Sequence, residues 1–496
     1  MRFFLYFFLF LISTTVFSQS KNNEKDTSKQ VVIKQHVIKD STVFILSPTL
    51  TKDQEKLLKE RQEEKKQLEE KLLSSKLAVK EGELYSIAEK ILTKILKANP
   101  EIPQDTKIVL YKSSDFNAFT MGNNLIFIHV GLLYNLHNED EIGMVISHEI
   151  AHNSLKHIET SMLEYVKMVT DTRLNQELKN VSRQKYNQAS ALNKIMLPRI
   201  LETREKSRSH EYAADSLGFI YATNAGFSQK KVLATFVAME EQQNGQSQST
   251  DLLKMLNHRA VPALYAKENE YKKNGSLGEF QKDTSKLADY LATHPYERDR
   301  FLKLALQSNL DTVFSNYSKE RSISDIAYYK LVSEEITKVE LEDKNFTSLI
   351  YYSCQALLLE PENKVLRNRL GVAFTAMAFF KQKRIIGKYL LLQNANYNED
   401  FDRVCSFLIK LSPTDCSTLA DISLAKSASE SNRESIENNL LQLFNYVKAK
   451  DFITLKIFLE VNFEQLSESS YAWIVNELLT QVYYSEKLNY LNKYIK

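Results

Sequence analysis

The sequence predicts a mostly α-helical fold, with one small β-sheet in its first half and a helical solenoid in its last third. Three observations carry this. The chain holds only 11 Gly and 8 Pro in 496 residues, too few turn formers for a β architecture of that length. Its β-rich apolar runs fall into two short neighbouring stretches, residues 107–112 and 124–130. From about Phe301 onward the apolar spacing is helical, with no break of strand type.

Composition narrows the class. With 43% hydrophobic and 26% charged residues the chain is able to bury a core, and its length suggests two or three domains. A net charge of +3 and a pI near 8.3 give no reason to expect a nucleic-acid partner. Residues 1–18 read as a secretory signal, with Arg2 as the charged start, residues 3–12 as the apolar run and Val16, Phe17 and Ser18 before the cleavage point. No Cys near that point suggests a lipid anchor, and no later apolar run is long enough to span a bilayer. The expectation is an exported, periplasmic chain with no transmembrane segment after cleavage. Cys354, Cys405 and Cys416 allow at most one disulfide.

Residues 19–51 read as a polar linker containing one β-like patch. Residues 52–97 are helical in pattern, with Leu57, Leu58, Leu68 and Leu72 on one face and a solvated charge run on the other. Pro100 and Pro103 break that pattern ahead of the two β-rich pieces. An edge strand over 124–130 is expected to pair with an extended substrate backbone through main-chain hydrogen bonds.

The next helix is expected from about Glu139 to Lys156. Asn138 and Glu141 resemble a capping box, and Glu139 and Asp140 favour the positive end of the helix dipole. Ile142, Met144, Val145, Ile146, Ile150 and Ala151 make it apolar nearly all round, as a buried helix is. Inside it lies H-E-x-x-H, formed by His148, Glu149 and His152. Residues four apart on a helix share a face, so both imidazoles are placed to hold one Zn²⁺, with Glu149 beside them.

A long polar helical stretch is expected over 158–206. Beyond it, Glu211 and Asp215 again stand four apart, and Ala213, Ala214, Leu217 and Phe219 mark that helix as packed rather than solvated. Glu211 is a candidate third ligand of a His₂Glu site, and Asp215 a candidate hydrogen-bond acceptor for a ligand imidazole. This helix is expected to close near residues 224–226, with Ser228 capping the next.

His148-Glu149-Ile150-Ala151-His152 followed by Glu211-Tyr212-Ala213-Ala214-Asp215 resembles the zinc metallopeptidase family of HtpX, the CAAX prenyl protease and periplasmic BepA. Asn117-Ala118-Phe119, Gly131-Leu132-Leu133, His157, and Thr293-His294-Pro295 with Arg298 or Arg300 downstream match as well. The resemblance covers about residues 80–305. It implies a gluzincin-type fold, one Zn²⁺ on His148, His152 and Glu211, and Glu149 as catalytic base, with Asp215 orienting a ligand imidazole. The membrane-spanning segments of HtpX and the prenyl protease have no counterpart, which points to the BepA-like branch. In that branch a His in the position of His294 is able to approach the metal, so His294 is a candidate fourth ligand that would close the site. His129, His137, His157, His210 and His258 read as structural or surface residues.

In the last third, residues 351–363 resemble the second helix of a tetratricopeptide repeat with its closing Pro361, and residues 368–374 the first helix of the next repeat. Gly371 is expected to let two helices approach closely and Phe374 to fill the space between them. The expected division is a signal over 1–18, a linker over 19–51, a zinc metallopeptidase domain over 52–305 and a repeat domain over 306–496. The function expected is endopeptidase cleavage of misfolded or unassembled envelope proteins, which dock on the repeats. The rival expectation is a periplasmic chaperone or assembly adaptor with a latent zinc site.

Overall fold

The computed structural model describes residues 50–244, 296–317, 323–390, 399–425 and 436–495. The expected signal sequence, the linker up to residue 49, His258 and the Thr293-His294-Pro295 triplet lie outside them.

Helix α1 (Lys52–Ser74) begins at Thr51, whose side chain accepts from the Gln54 amide in a capping box. The stretch expected to be helical over 52–97 holds two helices. The chain leaves α1 at Ser75, forms the short strand β1 (Ala78–Val79), and re-enters a helix, α2 (Glu83–Ala98), through Gly82 at φ +100°. Only glycine adopts that backbone readily, and pairing of β1 with the sheet outweighs the local helical pattern.

Three more strands follow: β2 (Lys107–Tyr111), β3 (Ala118–Thr120) and β4 (Leu125–His129). The sheet order is β1-β2-β4-β3. β2 runs parallel to β4 with Val109 opposite Phe127, and β3 runs antiparallel to β4 with Phe119 opposite Phe127. Val109, Leu125 and Phe127 meet Leu68, Leu72 and Leu73 of α1. Ile108, Leu110, Ile126 and Ile128 face the main core on the other side. A strand buried on both faces reads as a continuous apolar run, and β4 is one. It is also paired along both edges, so the expectation that 124–130 receives an extended substrate is overturned. The edge beside it is β3, three residues long.

After the short helix α3 (Val130–Asn135), α4 (Glu139–Ser154) starts at Asn138, whose side chain accepts from the Glu141 amide at 3.0 Å. The polar helical stretch expected over 158–206 is α5 (His157–Val169), α6 (Thr172–Ser182) and the first part of α7 (Gln188–Asn224). Asp171 caps α6 and breaks the run, and Asn187 at φ +63° breaks it again. α7 carries Pro198 in its interior. It closes at Ala225 and Gly226 as expected, Gly226 at φ +80°, and α8 (Gln229–Asn244) follows. Helix α9 (Glu297–Gln307) packs against α7 and α8.

The rest is helical: α10 (Ile323–Glu342), α11 (Phe346–Leu359), α12 (Lys364–Gln382), α13 (Glu399–Lys410), α14 (Pro413–Ala425), α15 (Ile436–Ala449), α16 (Phe452–Glu468) and α17 (Ala472–Glu486). α10 packs on α11, α11 on α12 and α13, α12 on α14 and α15, α15 on α16, and α16 on α17, a run of stacked helices that is solenoid-like. Gly371 of α12 meets Leu424 of α14, where an added Cβ would fall 2.5 Å from the leucine side chain, and Phe374 is fully buried. Cys354, Cys405 and Cys416 are buried free thiols. The first helix of this region, α10, rests on α3. The Tyr134 and Tyr329 hydroxyls lie 2.8 Å apart, and the Tyr328 hydroxyl donates to the Leu133 carbonyl at 2.7 Å. Among the described residues no helix is long and apolar enough to cross a membrane.

Candidate metal centre

Helix α4 is buried from Glu141 to Ala151, so its polar residues need partners inside the protein. His148 and His152 project from one face, one turn apart, and their Nε2 atoms lie 3.0 Å from each other. The partner helix is α7. Its face toward α4 carries Glu211, Ala214, Asp215, Gly218 and Ala222, all buried, at helical spacing. Small residues let the two backbones close up, and the two acids occupy the gap so created. Glu211 Oε2 is 3.5 Å from His148 Nε2, and its Oε1 is 3.5 Å from His152 Nε2.

The ligand atoms of His148, His152 and Glu211 all lie within 4.8 Å of one another. Tetrahedral zinc with bonds of about 2.0–2.2 Å holds its ligand atoms roughly 3.3 Å apart, and the three closest separations of 3.0, 3.5 and 3.5 Å bracket that value. Two facing imidazole nitrogens with a carboxylate on both are also the donor chemistry Zn²⁺ takes. The residues fit the ion. Glu149, next to His148 on α4, is buried as well.

Behind His148 stands a second layer. Asp215, 1% exposed, brings Oδ1 to 3.0 Å from His148 Nδ1, within hydrogen-bond distance but bent from a straight bond. Arg300 of α9 grips Asp215 with both arms, Nε to Oδ2 at 2.8 Å and Nη2 to Oδ1 at 2.6 Å. The same Nη2 is 3.8 Å from Glu211 Oε2. Burial favours a neutral Asp215, but the Arg300 guanidinium and the His148 contact together hold its carboxyl below the usual carboxylate range. Burial likewise opposes charge on His148, yet Asp215 and Glu211 raise its pKa to about 10.

Behind His152 the neighbour differs. His157 Nδ1 lies 3.0 Å from His152 Nδ1, and the His157 ring stacks on His210 with centroids 4.1 Å apart. Burial, then the other histidines, push the His157 pKa down to about 2. His129 is stacked against Tyr111, and His137 lies 3.1 Å from Glu141 Oε2 at the start of α4. His157 and His210, read as structural or surface from sequence, are thus joined to the candidate centre. Arg300 carries no signal in local sequence beyond its place downstream of His294, because its contact spans 85 residues. Of the two arginines noted there, Arg298 pairs instead with Glu240 on the surface.

Residues 79–307 match Peptidase family M48. The chain is 28% identical over 165 residues to Metalloprotease YcaL of Escherichia coli (strain K12), a match covering 32% of this chain and 62% of that protein. It is 26% identical over 135 residues to the Putative beta-barrel assembly-enhancing protease of Vibrio cholerae serotype O1, covering 27% of this chain and 28% of that protein. The chain thus spans less than two thirds of the length of either relative. The stretch that matches the peptidase family M48 model contains His148, Glu149, His152, Glu211, Asp215 and Arg300.

Proposed function

We propose that the chain is an exported zinc-dependent endopeptidase of misfolded or unassembled envelope proteins, with residues 52–305 as the catalytic unit and 306–496 as a tetratricopeptide-like docking unit. The observation that carries the reading is the convergence of His148 Nε2, His152 Nε2 and the Glu211 carboxylate in one buried gap. The envelope substrate is supported by the signal-like start of the sequence and the name of the Vibrio relative.

His148, His152 and Glu211 would hold the ion. When bound, Zn²⁺ supplies Lewis acidity, which makes water a nucleophile near neutral pH and stabilises negative charge on a carbonyl oxygen. The Glu149 carboxylate takes the proton from the attacking water and passes it to the leaving amine nitrogen. Asp215, held ionised by Arg300, keeps the His148 ring turned with Nε2 toward Glu211. β3, the terminal strand of the sheet, takes the role of pairing main-chain groups with an extended substrate that β4 is unable to fill.

The test uses the full chain, wild type beside Glu149→Gln and His294→Ala, with zinc content and casein cleavage measured on each. Glu149→Gln should keep its zinc and lose cleavage by roughly 10²–10⁴-fold. Cleavage that appears only in His294→Ala would support the same chemistry under a gate at that residue. Zinc bound with no cleavage in any of the three sinks the endopeptidase reading in favour of the adaptor.

A further inference from the structure

The two histidines of the candidate centre are held from behind by different chemistry. His148 has a carboxylate at its outer nitrogen, itself clamped by an arginine. His152 has another imidazole. A metal-binding His usually turns its second nitrogen to a carboxylate, a carbonyl or water, and that contact sets its tautomer and aim. The turn after α4 is what brings His157 to this place. Lys156 adopts the left-handed conformation, φ +54° and ψ +38°, so α5 starts immediately and its first residue folds back onto His152. His157 is buried, and the parallel stack on His210, only 8° from coplanar, holds the plane of its ring.

Two imidazoles meeting Nδ1 to Nδ1 make a hydrogen bond only if one donates and the other accepts. His152 needs its Nε2 lone pair for the metal, which leaves its proton on Nδ1. His157 must then present a bare Nδ1 and carry its own proton on Nε2. We propose that His157 is a positioning residue of the metal centre, whose Nδ1 accepts the Nδ1 proton of His152 and so locks His152 in the tautomer with Nε2 free for the ion. The inference rests on the metal reading above. It adds a second, uncharged arm to the Asp215–Arg300 arm behind His148.

The acceptor and the ring are separable. Asn places its amide oxygen where His157 has Nδ1 and loses the stack, while Phe keeps the ring over His210 and loses the acceptor. Zinc affinity of the full chain is measured by competition with a chromogenic chelator for wild type, His157→Asn, His157→Phe and His148→Ala, with melting of each metal-free form followed alongside. His157→Phe should bind zinc about 10- to 100-fold more weakly, with its metal-free melting unchanged. His157→Asn should stay within about threefold of wild type, because the hydrogen bond survives. Equal losses in both variants, or loss in Asn with retention in Phe, would make His157 a filler of space and overturn the proposal. So would wild-type affinity in Phe. A wild type that binds no more zinc than His148→Ala overturns the metal reading itself, and this inference with it.

Discussion

Gly218 of α7 lies flat against the backbone of His148: a Cβ added there would fall 2.8 Å from the His148 amide nitrogen and 2.9 Å from its Cα. Neither atom can move aside, since both belong to the buried helix α4. The contact sets the distance between the helix with two candidate ligands and the helix with the third. Gly218→Ala should push α7 outward, costing about 1–3 kcal/mol of stability and, more tellingly, zinc affinity. Titrating zinc into the variant checks this. Unchanged affinity would mean that α7 tolerates the displacement without moving Glu211.

This contact also marks how far the sequence is legible. H-E-x-x-H and the Glu211/Asp215 pair are visible because helical spacing is local, and the apolar shell around His148 declares a buried helix. That Glu211 reaches both imidazoles depends on a helix crossing, and only the run of small residues at 214, 218 and 222 hints at it. Sheet order is less legible still. β3 is three residues long, and nothing in Ala118–Thr120 announces that it caps β4 and takes over the free edge. The split of 52–97 comes from pairing of Ala78–Val79 with β2, a tertiary event, with Gly82 only opening the second helix. His157 and Arg300 stand out in the sequence only as matches to the family pattern, and what each touches is set by tertiary contact.

Arg300 and Asp215 form a buried pair, 7% and 1% exposed. Removing one partner strands the other. Arg300→Met should destabilise the chain by about 3–5 kcal/mol, because the buried Asp215 carboxylate then loses both guanidinium hydrogen bonds. Asp215 would respond by taking up a proton, since burial alone raises its pKa. The pH signature follows. In wild type the Asp215 pKa is depressed, so its stabilising contribution is present above the ordinary carboxylate value and is lost only as pH falls through the folded value. In Arg300→Met that advantage at neutral pH disappears, and an Arg300→Met/Asp215→Asn double variant should regain part of it. Melting curves of the three at pH 7 decide the matter. A double variant no better than the single would show that the loss is one of packed volume, not of stranded charge.

Glu340 gives a prediction of opposite sign, away from the metal centre. It sits near the end of α10, 2% exposed, and accepts from Asn345 Nδ2 at 2.8 Å. Burial, reinforced by nearby Asp343 and only partly offset by hydrogen bonds from Ser114, Asn345 and Ser348, raises its pKa to about 7. Ser114 belongs to the segment just ahead of β3, and its carbonyl abuts Gly131, so this carboxyl ties the solenoid to the sheet. A carboxyl with a raised folded pKa binds its proton more tightly folded than unfolded. Its contribution is therefore complete below about pH 4.5, the ordinary value, and is lost as pH rises toward 7. A shift of that size corresponds to roughly 3 kcal/mol across the window. Glu340→Gln is neutral at every pH and of nearly the same shape, so it should match wild type at pH 5 and melt higher at pH 8. Melting temperatures of both chains should diverge as pH rises from 4.5 to about 7 and keep a constant gap from there to 8.5. Two parallel curves would place Glu340 outside the pH response of the fold and leave its burial to be balanced by the hydrogen bonds alone.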